Sequence, residues 1–192
     1  MRKRLLALTA LPVIGLAVFF SLPSLLDRKM NSVATPAPYP ASAAAQALHN
    51  SLFVADLHDD QLLWQRDLLK PVTYGHSDLP RQLQAHVALQ VFSTVTKTPR
   101  GPNYERNSAK SDNITLLVMA QRWPRRTWNS LLQRALYPSE KLQQAVADSN
   151  GKLLLIRSKG DLESFILERP QQPERMAAIL ATEGLHPLEG QL

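Results

Sequence analysis

The residues with the clearest capacity for chemistry stand together in Asp56-Leu57-His58-Asp59-Asp60. Side chains two apart on an extended segment share a face, so His58 and Asp60 point the same way while Asp59 points away. An imidazole and a carboxylate converging at one strand end suit zinc, which accepts both nitrogen and oxygen ligands. Alone the pattern is weak, and a capped strand end with a solvated histidine accounts for it more readily than a metal. Glu183 precedes Gly184, where its type and place by themselves read as a solvated turn residue rather than a ligand. His76 and His186 are lone histidines, read as structural or exposed. The chain has no cysteine. That excludes a disulfide framework, a thiolate zinc site, a cysteine nucleophile and a lipid-modified amino-terminal cysteine.

The elements that must position these groups alternate between short apolar runs and helical stretches. Strands are expected over residues 52–57, 87–95, 153–156 and 176–181. Between them, Pro80 falls in the first turn of a short helix over 78–85, and Asp112 can cap a helix over 113–122. Pro124 and Pro138 mark two further helix starts, Asn150-Gly151 closes the last of these, and residues 161–168 form another helix. Strands alternating with helices argue for parallel βαβ units, and four such units are half of a (β/α)8 barrel. A barrel builds its sites at the carboxyl ends of its strands, which is where His58 and Asp60 fall.

In front of this body lies a different kind of sequence. Residues 5–26 contain no charge and follow Arg2, Lys3 and Arg4. A run of that length can span a bilayer, and the basic cluster favours a cytoplasmic amino terminus with the body outside. The small-x-small sites Ala41-Ser42-Ala43 and Ala45-Gln46-Ala47 lie well beyond the apolar core, which favours a retained anchor over a cleaved signal. Residues 1–29 therefore read as anchor, 30–50 as a Pro/Ala-rich extended tether, and 51–192 as the folded body. The anchor region supplies +4 of the formal charge of +6, so the high pI is mostly a targeting signal. A second basic stretch runs from Lys97 through Arg122, Arg125 and Arg126 to Arg134, interleaved with Trp123 and Trp128. It carries no nucleic-acid-binding motif and reads as a solvated helix face with two core tryptophans.

Several segments in register resemble one family. Ala55-Asp56-Leu57-His58-Asp59-Asp60-Gln61-Leu62-Leu63-Trp64 is similar to the opening motif of the membrane dipeptidases, also called renal dipeptidases. Gly75-His76-Ser77-Asp78-Leu79-Pro80-Arg81 resembles the segment before their second strand, and Val87-Ala88-Leu89-Gln90-Val91-Phe92-Ser93 resembles that strand. Thr98-Pro99-Arg100-Gly101 and Asn103-Tyr104-Glu105-Arg106-Asn107 have counterparts in the bacterial branch. Thr182-Glu183-Gly184-Leu185-His186-Pro187-Leu188-Glu189-Gly190 resembles the family's Glu-Gly-x-His stretch. His86 stands where many relatives have a small residue.

The resemblance implies a zinc dipeptidase on the amino-terminal half of a (β/α)8 barrel; together with the anchor read above, it is expected on a bacterial inner membrane, facing the periplasm or exterior. It implies that His58 and Asp60 ligate one zinc and that Glu183, the catalytic carboxylate, bridges two. It assigns Asp59 no role. Family members complete the site with two histidines and an acidic residue from later strands, without counterparts in this chain. The implied partners are a dipeptide substrate, the membrane, and either a carboxyl-terminal half or another chain. The alternative is a catalytically inactive envelope protein that pairs with another chain.

Overall fold

The computed structural model describes residues 2–35, 37–101, 103–106, 108 and 110–191, with side chains from Pro12 onward. The amino-terminal run forms one helix, α1 (Arg2–Met30), which carries Pro12 and Pro23 internally. No helix among the described residues is long and apolar enough to cross a membrane. The first part of the apolar run, residues 5–11, lies outside the described side chains.

The end of α1 is fastened to the body. Gln121 Nε2 donates to the Pro23 carbonyl at 3.1 Å, the Asp27 carboxylate pairs with Arg66 Nε at 2.8 Å with both side chains buried, and Gly75 N–H donates to the Asn31 carbonyl. Gly75 has a positive φ of 71°, and a Cβ there would run into the Arg66 guanidinium. The tether is not extended throughout: Ser42 Oγ accepts from Ala45 N–H and starts a helix, α2 (Ala43–Ser51). Alanine outweighs the prolines once they are passed at Pro40, because it loses least on entering a helix.

The body contains β1 (Val54–Asp59), α3 (Leu79–Gln84), β2 (Val87–Thr94), α4 (Ile114–Ala120), α5 (Arg126–Asn129), α6 (Leu131–Asp148), β3 (Leu153–Leu155), α7 (Lys159–Glu168) and β4 (Met176–Thr182). All strand pairs are parallel, and the sheet order is β1-β2-β4-β3. The protein is thus mixed α/β with a four-stranded parallel sheet. The order corrects the expectation of four consecutive barrel strands, in which β3 would lie between β2 and β4. The three residues of β3 instead pair with Met176, Ala177 and Ala178 on the outer side of β4. The remainder of β4 carries no strand on that side among the described residues, and β1 is the opposite edge, with residues 55–58 exposed.

Alternation along the strands sends side chains into two cores. Phe92, Met176 and Ala178 join Leu62, Leu68, Leu79 and Leu142 under α3 and α6. Leu89 and Ala177 pack with Phe165 of α7, and Val91 and Ile179 lie against that group. A third cluster gathers Leu63, Trp64, Val95, Ile114, Val118 and Trp123 beside the sheet's carboxyl end.

Two helix boundaries differ from expectation for identifiable reasons. Pro138 does not start a helix but lies inside α6, whose first turn is held by Ser130 Oγ accepting from Gln133 N–H. Helix α7 begins two residues before Asp161, because Ser158 and Asp161 form a reciprocal capping box. The basic stretch is also less solvated than its composition implies. Arg134 is buried, and its guanidinium donates to the carbonyls of Thr96, Thr127 and Trp128, to Thr115 Oγ1 and to Asp112.

Candidate metal centre

The sheet brings His58, Asp60 and Glu183 together at the carboxyl ends of β1 and β4. Their convergence owes less to simple alternation than to a bulge. Asp56 pairs with Gln90 and Asp59 with Phe92, so three steps along β1 match two along β2. A bulge of this kind re-aims side chains at a sheet rim. The Asp56 carboxylate stabilises it by accepting from His58 N–H at 3.1 Å. Asp60 lies past the strand, at the entry to the 3-10 turn Gln61–Leu63. Glu183 follows β4 directly: its N–H donates to the Thr94 carbonyl at 3.3 Å, extending the β2–β4 ladder, and Gly184 turns away with φ 76°.

His58 Nε2 stands 3.0 Å from Glu183 Oε1 and 3.3 Å from Asp60 Oδ1. One ligand atom from each of the three residues lies within 4.8 Å of the others. The side chains are 59%, 42% and 38% exposed for His58, Asp60 and Glu183, so the cluster opens to solvent. Yet Asp60 Oδ1 and Glu183 Oε1 are themselves shielded from solvent and receive no hydrogen bond. Two carboxylate oxygens turned toward one imidazole nitrogen make a position that a proton on Nε2 or a cation would fill. Burial, followed by the negative charge of Asp60, pushes the Glu183 carboxyl up from its ordinary value, and His58 opposes this. One nitrogen and two oxygens are a donor set that zinc accepts, with coordination positions left over for water or substrate.

On the other side of the ring, His58 Nδ1 lies 3.4 Å from Ser93 Oγ. Ser93 follows Val91 by two residues and so shares the α7 face of β2. A partner on the second ring nitrogen orients a histidine and leaves Nε2 for the site.

Asp59 takes no part in the cluster. Its carboxylate accepts from Ser77 Oγ at 2.6 Å and Gln61 N–H at 2.8 Å, and lies 3.4 Å from Gln82 Nε2. Burial raises its pKa, and the Ser77 and Gln61 hydrogen bonds oppose the rise. His76 and His186 are exposed and outside the cluster.

Three supporting residues escaped sequence reasoning. Ser93 had a weak signal as a hydroxyl closing an apolar strand. Glu189 had none: its Oε1 accepts from Ser130 Oγ and from Leu131 and Leu132 N–H at the start of α6, fastening the loop after Glu183. Those hydrogen bonds, the one from Leu132 foremost, hold its carboxyl below the usual range. Lys141 reaches from α6 to donate to the carbonyls of Leu62 and Trp64, pinning the turn that follows Asp60. Burial, reinforced by Arg66, pushes its ammonium down to about 7.

No protein-family model matches the chain, and no curated protein matches it.

Proposed function

We propose that this chain is the metal-binding amino-terminal part of a membrane-anchored, extracytoplasmic zinc dipeptidase of the membrane dipeptidase family. The observation that carries the reading is the approach of His58 Nε2, Asp60 Oδ1 and Glu183 Oε1 at the carboxyl end of a parallel sheet, from segments 123 residues apart. His58 and Asp60 would hold one zinc, and Glu183 would reach both that ion and a second. Bound zinc supplies a Lewis acid and a water made acidic near neutral pH, the chemistry that peptide hydrolysis needs.

The chain's own residues then have definite tasks. Ser93 orients His58, and Asp56 holds the bulge that aims the ring. Lys141 steadies the turn behind Asp60, and Glu189 ties down the loop behind Glu183. Three ligands are too few for a dinuclear centre, so the family's remaining two histidines and acidic residue would come from outside this chain. The outer edge of β1, unpaired among the described residues, and the half-covered edge of β4 would accept added strands. The same edges support the second reading, an inactive envelope protein that pairs with another chain.

For the anchor, the support is the uncharged run over residues 5–26 and the exposed Val13, Ile14, Leu16, Val18, Phe19 and Phe20 on α1. The test of function is to co-express the chain with the carboxyl-terminal half of a family member and assay dipeptide hydrolysis. Zinc-dependent hydrolysis that is lost in Glu183→Gln is the result expected. Hydrolysis indifferent to Glu183→Gln would sink the catalytic assignment.

A further inference from the structure

Where α1 meets the body, a cavity of about 110 Å³ opens between Ser24, Asp27, Arg66, Tyr74 and Arg122. The guanidinium groups of Arg66 and Arg28 act on the Asp27 carboxylate, and that of Arg122 lines the same cavity. Arg66 is paired with Asp27, whose other oxygen accepts from Asn31. Arg28 lies over the Tyr74 ring, 4.3 Å from its centroid. Arg122 has no acidic partner among the described residues, and its Nε is buried without a hydrogen-bond acceptor. The Arg122 backbone has a positive φ of 57°, a conformation uncommon for residues other than glycine. Its Cζ lies 5.5 and 5.4 Å from the ring centroids of Phe19 and Phe20.

The level of Arg122 along α1 identifies what would approach it. Residues 5–26 rise about 33 Å as a helix, close to the roughly 30 Å of a bilayer's hydrocarbon core. The membrane surface would then fall around Ser24 to Asp27. The Arg122 guanidinium lies beside Phe19 and Phe20, about a turn inside that level. A cation there faces hydrocarbon unless an anion from the interface reaches it, and the nearest abundant anions are lipid phosphates. The cavity is large enough for a phosphate group and carries an excess of positive charge.

We infer that the α1–body junction is a binding site for the headgroup phosphate of an anionic phospholipid, with Arg122 as its principal donor. This rests on the anchored reading above. The lipid would fix the body's tilt on the membrane, because α1 is already fastened through Asp27 and Arg66.

The test is native mass spectrometry of the detergent-solubilised full chain, titrated separately with dihexanoyl phosphatidylglycerol, dihexanoyl phosphatidylcholine and glycerol phosphate. A saturable one-to-one phosphatidylglycerol adduct is expected, weakened about fivefold or more in Arg122→Gln. Arg122→Lys, which keeps the charge, should retain most of the binding and guards against misfolding of the first variant. Arg157→Gln, at an exposed arginine of the loop after β3, should change nothing. Equal binding of the two lipids, or no loss in Arg122→Gln, overturns the site. Glycerol phosphate binding as tightly as the lipid also overturns it, in favour of a soluble phosphate ligand. Carbonate extraction of the same chain from membranes measures the anchor by itself. Release into the soluble fraction overturns the anchored reading and with it the lipid, whereas retention with equal binding of both lipids overturns the site alone.

Discussion

Asp59 and Asp60 are neighbours in the chain, yet their carboxylates belong to separate networks: Asp59 is held by Ser77 and Gln61, while Asp60 turns to His58 and Glu183. Asp60→Asn should therefore weaken zinc binding at least tenfold, whereas Asp59→Asn should leave it within about twofold. Because burial already favours the neutral form of Asp59, its amide should cost no more than about 1 kcal/mol of stability at pH 7. Calorimetric zinc titration and thermal unfolding of both variants check this, and equal loss of zinc in the two would show that the roles are misassigned.

Ser93 acts through His58. Ser93→Ala should leave the fold intact and reduce zinc affinity by about tenfold, since the ring loses the partner that orients it. Ser93→Thr should recover part of the loss. An unchanged affinity in the alanine variant would mean that the ring is oriented by packing alone.

The half-buried Lys141, its ammonium turned inward onto the Leu62 and Trp64 carbonyls, predicts how stability varies with pH. Burial lowers its folded pKa to about 7, whereas the unfolded chain keeps the proton to about 10.4. Between these values the unfolded state binds more protons, so stability rises with pH across the window, by up to about 1.4 kcal/mol per unit. Below about 7 the cost of charging the buried amine is fully present. Unfolding midpoints in denaturant should rise from pH 7 to 9 in the parent chain, and Lys141→Met should remove that rise. A parallel slope in both proteins would contradict the assignment.

Arg134 joins α4, α5 and α6 to the end of β2 through five donated hydrogen bonds. Arg134→Met should cost about 3–5 kcal/mol, because it takes the donor from three carbonyls and the counter-charge from Asp112, which keeps only Ile114 N–H and Thr115 Oγ1. Lysine should rescue little, since a single ammonium does not reproduce the fork. Equilibrium unfolding measures both, and a loss below about 1 kcal/mol in Arg134→Met would show that water replaces the guanidinium there.

What the sequence made legible follows the range over which each signal acts. The parallel sheet could be read because the apolar runs at 87–95 and 176–181 are short, β-rich and bounded by turn residues. The order of the strands could not. Whether β3 inserts between β2 and β4 or lies outside them depends on which apolar face α7 covers, a matter of tertiary packing around Phe165. Strand alternation pointed to the proximity of His58 and Asp60, but neither the register shift before Asp59 nor the position of Asp60 past the strand end could be read from the spacing. Glu183 carries no local mark of a ligand, and its approach to His58 depends on the β2–β4 pairing. Arg134 was read as a surface cation because composition does not reveal that Asp112, 22 residues earlier, lies against it.

If His58, Asp60 and Glu183 form a divalent cation site, titrating the detergent-solubilised full chain with zinc, and repeating the titration with Glu183→Gln, will reveal it. One zinc per chain is expected, bound by the parent and weakened at least tenfold in the variant while its unfolding midpoint stays close to the parent's. Stoichiometric binding of equal strength in both proteins, or no saturable binding by the folded parent, would contradict it.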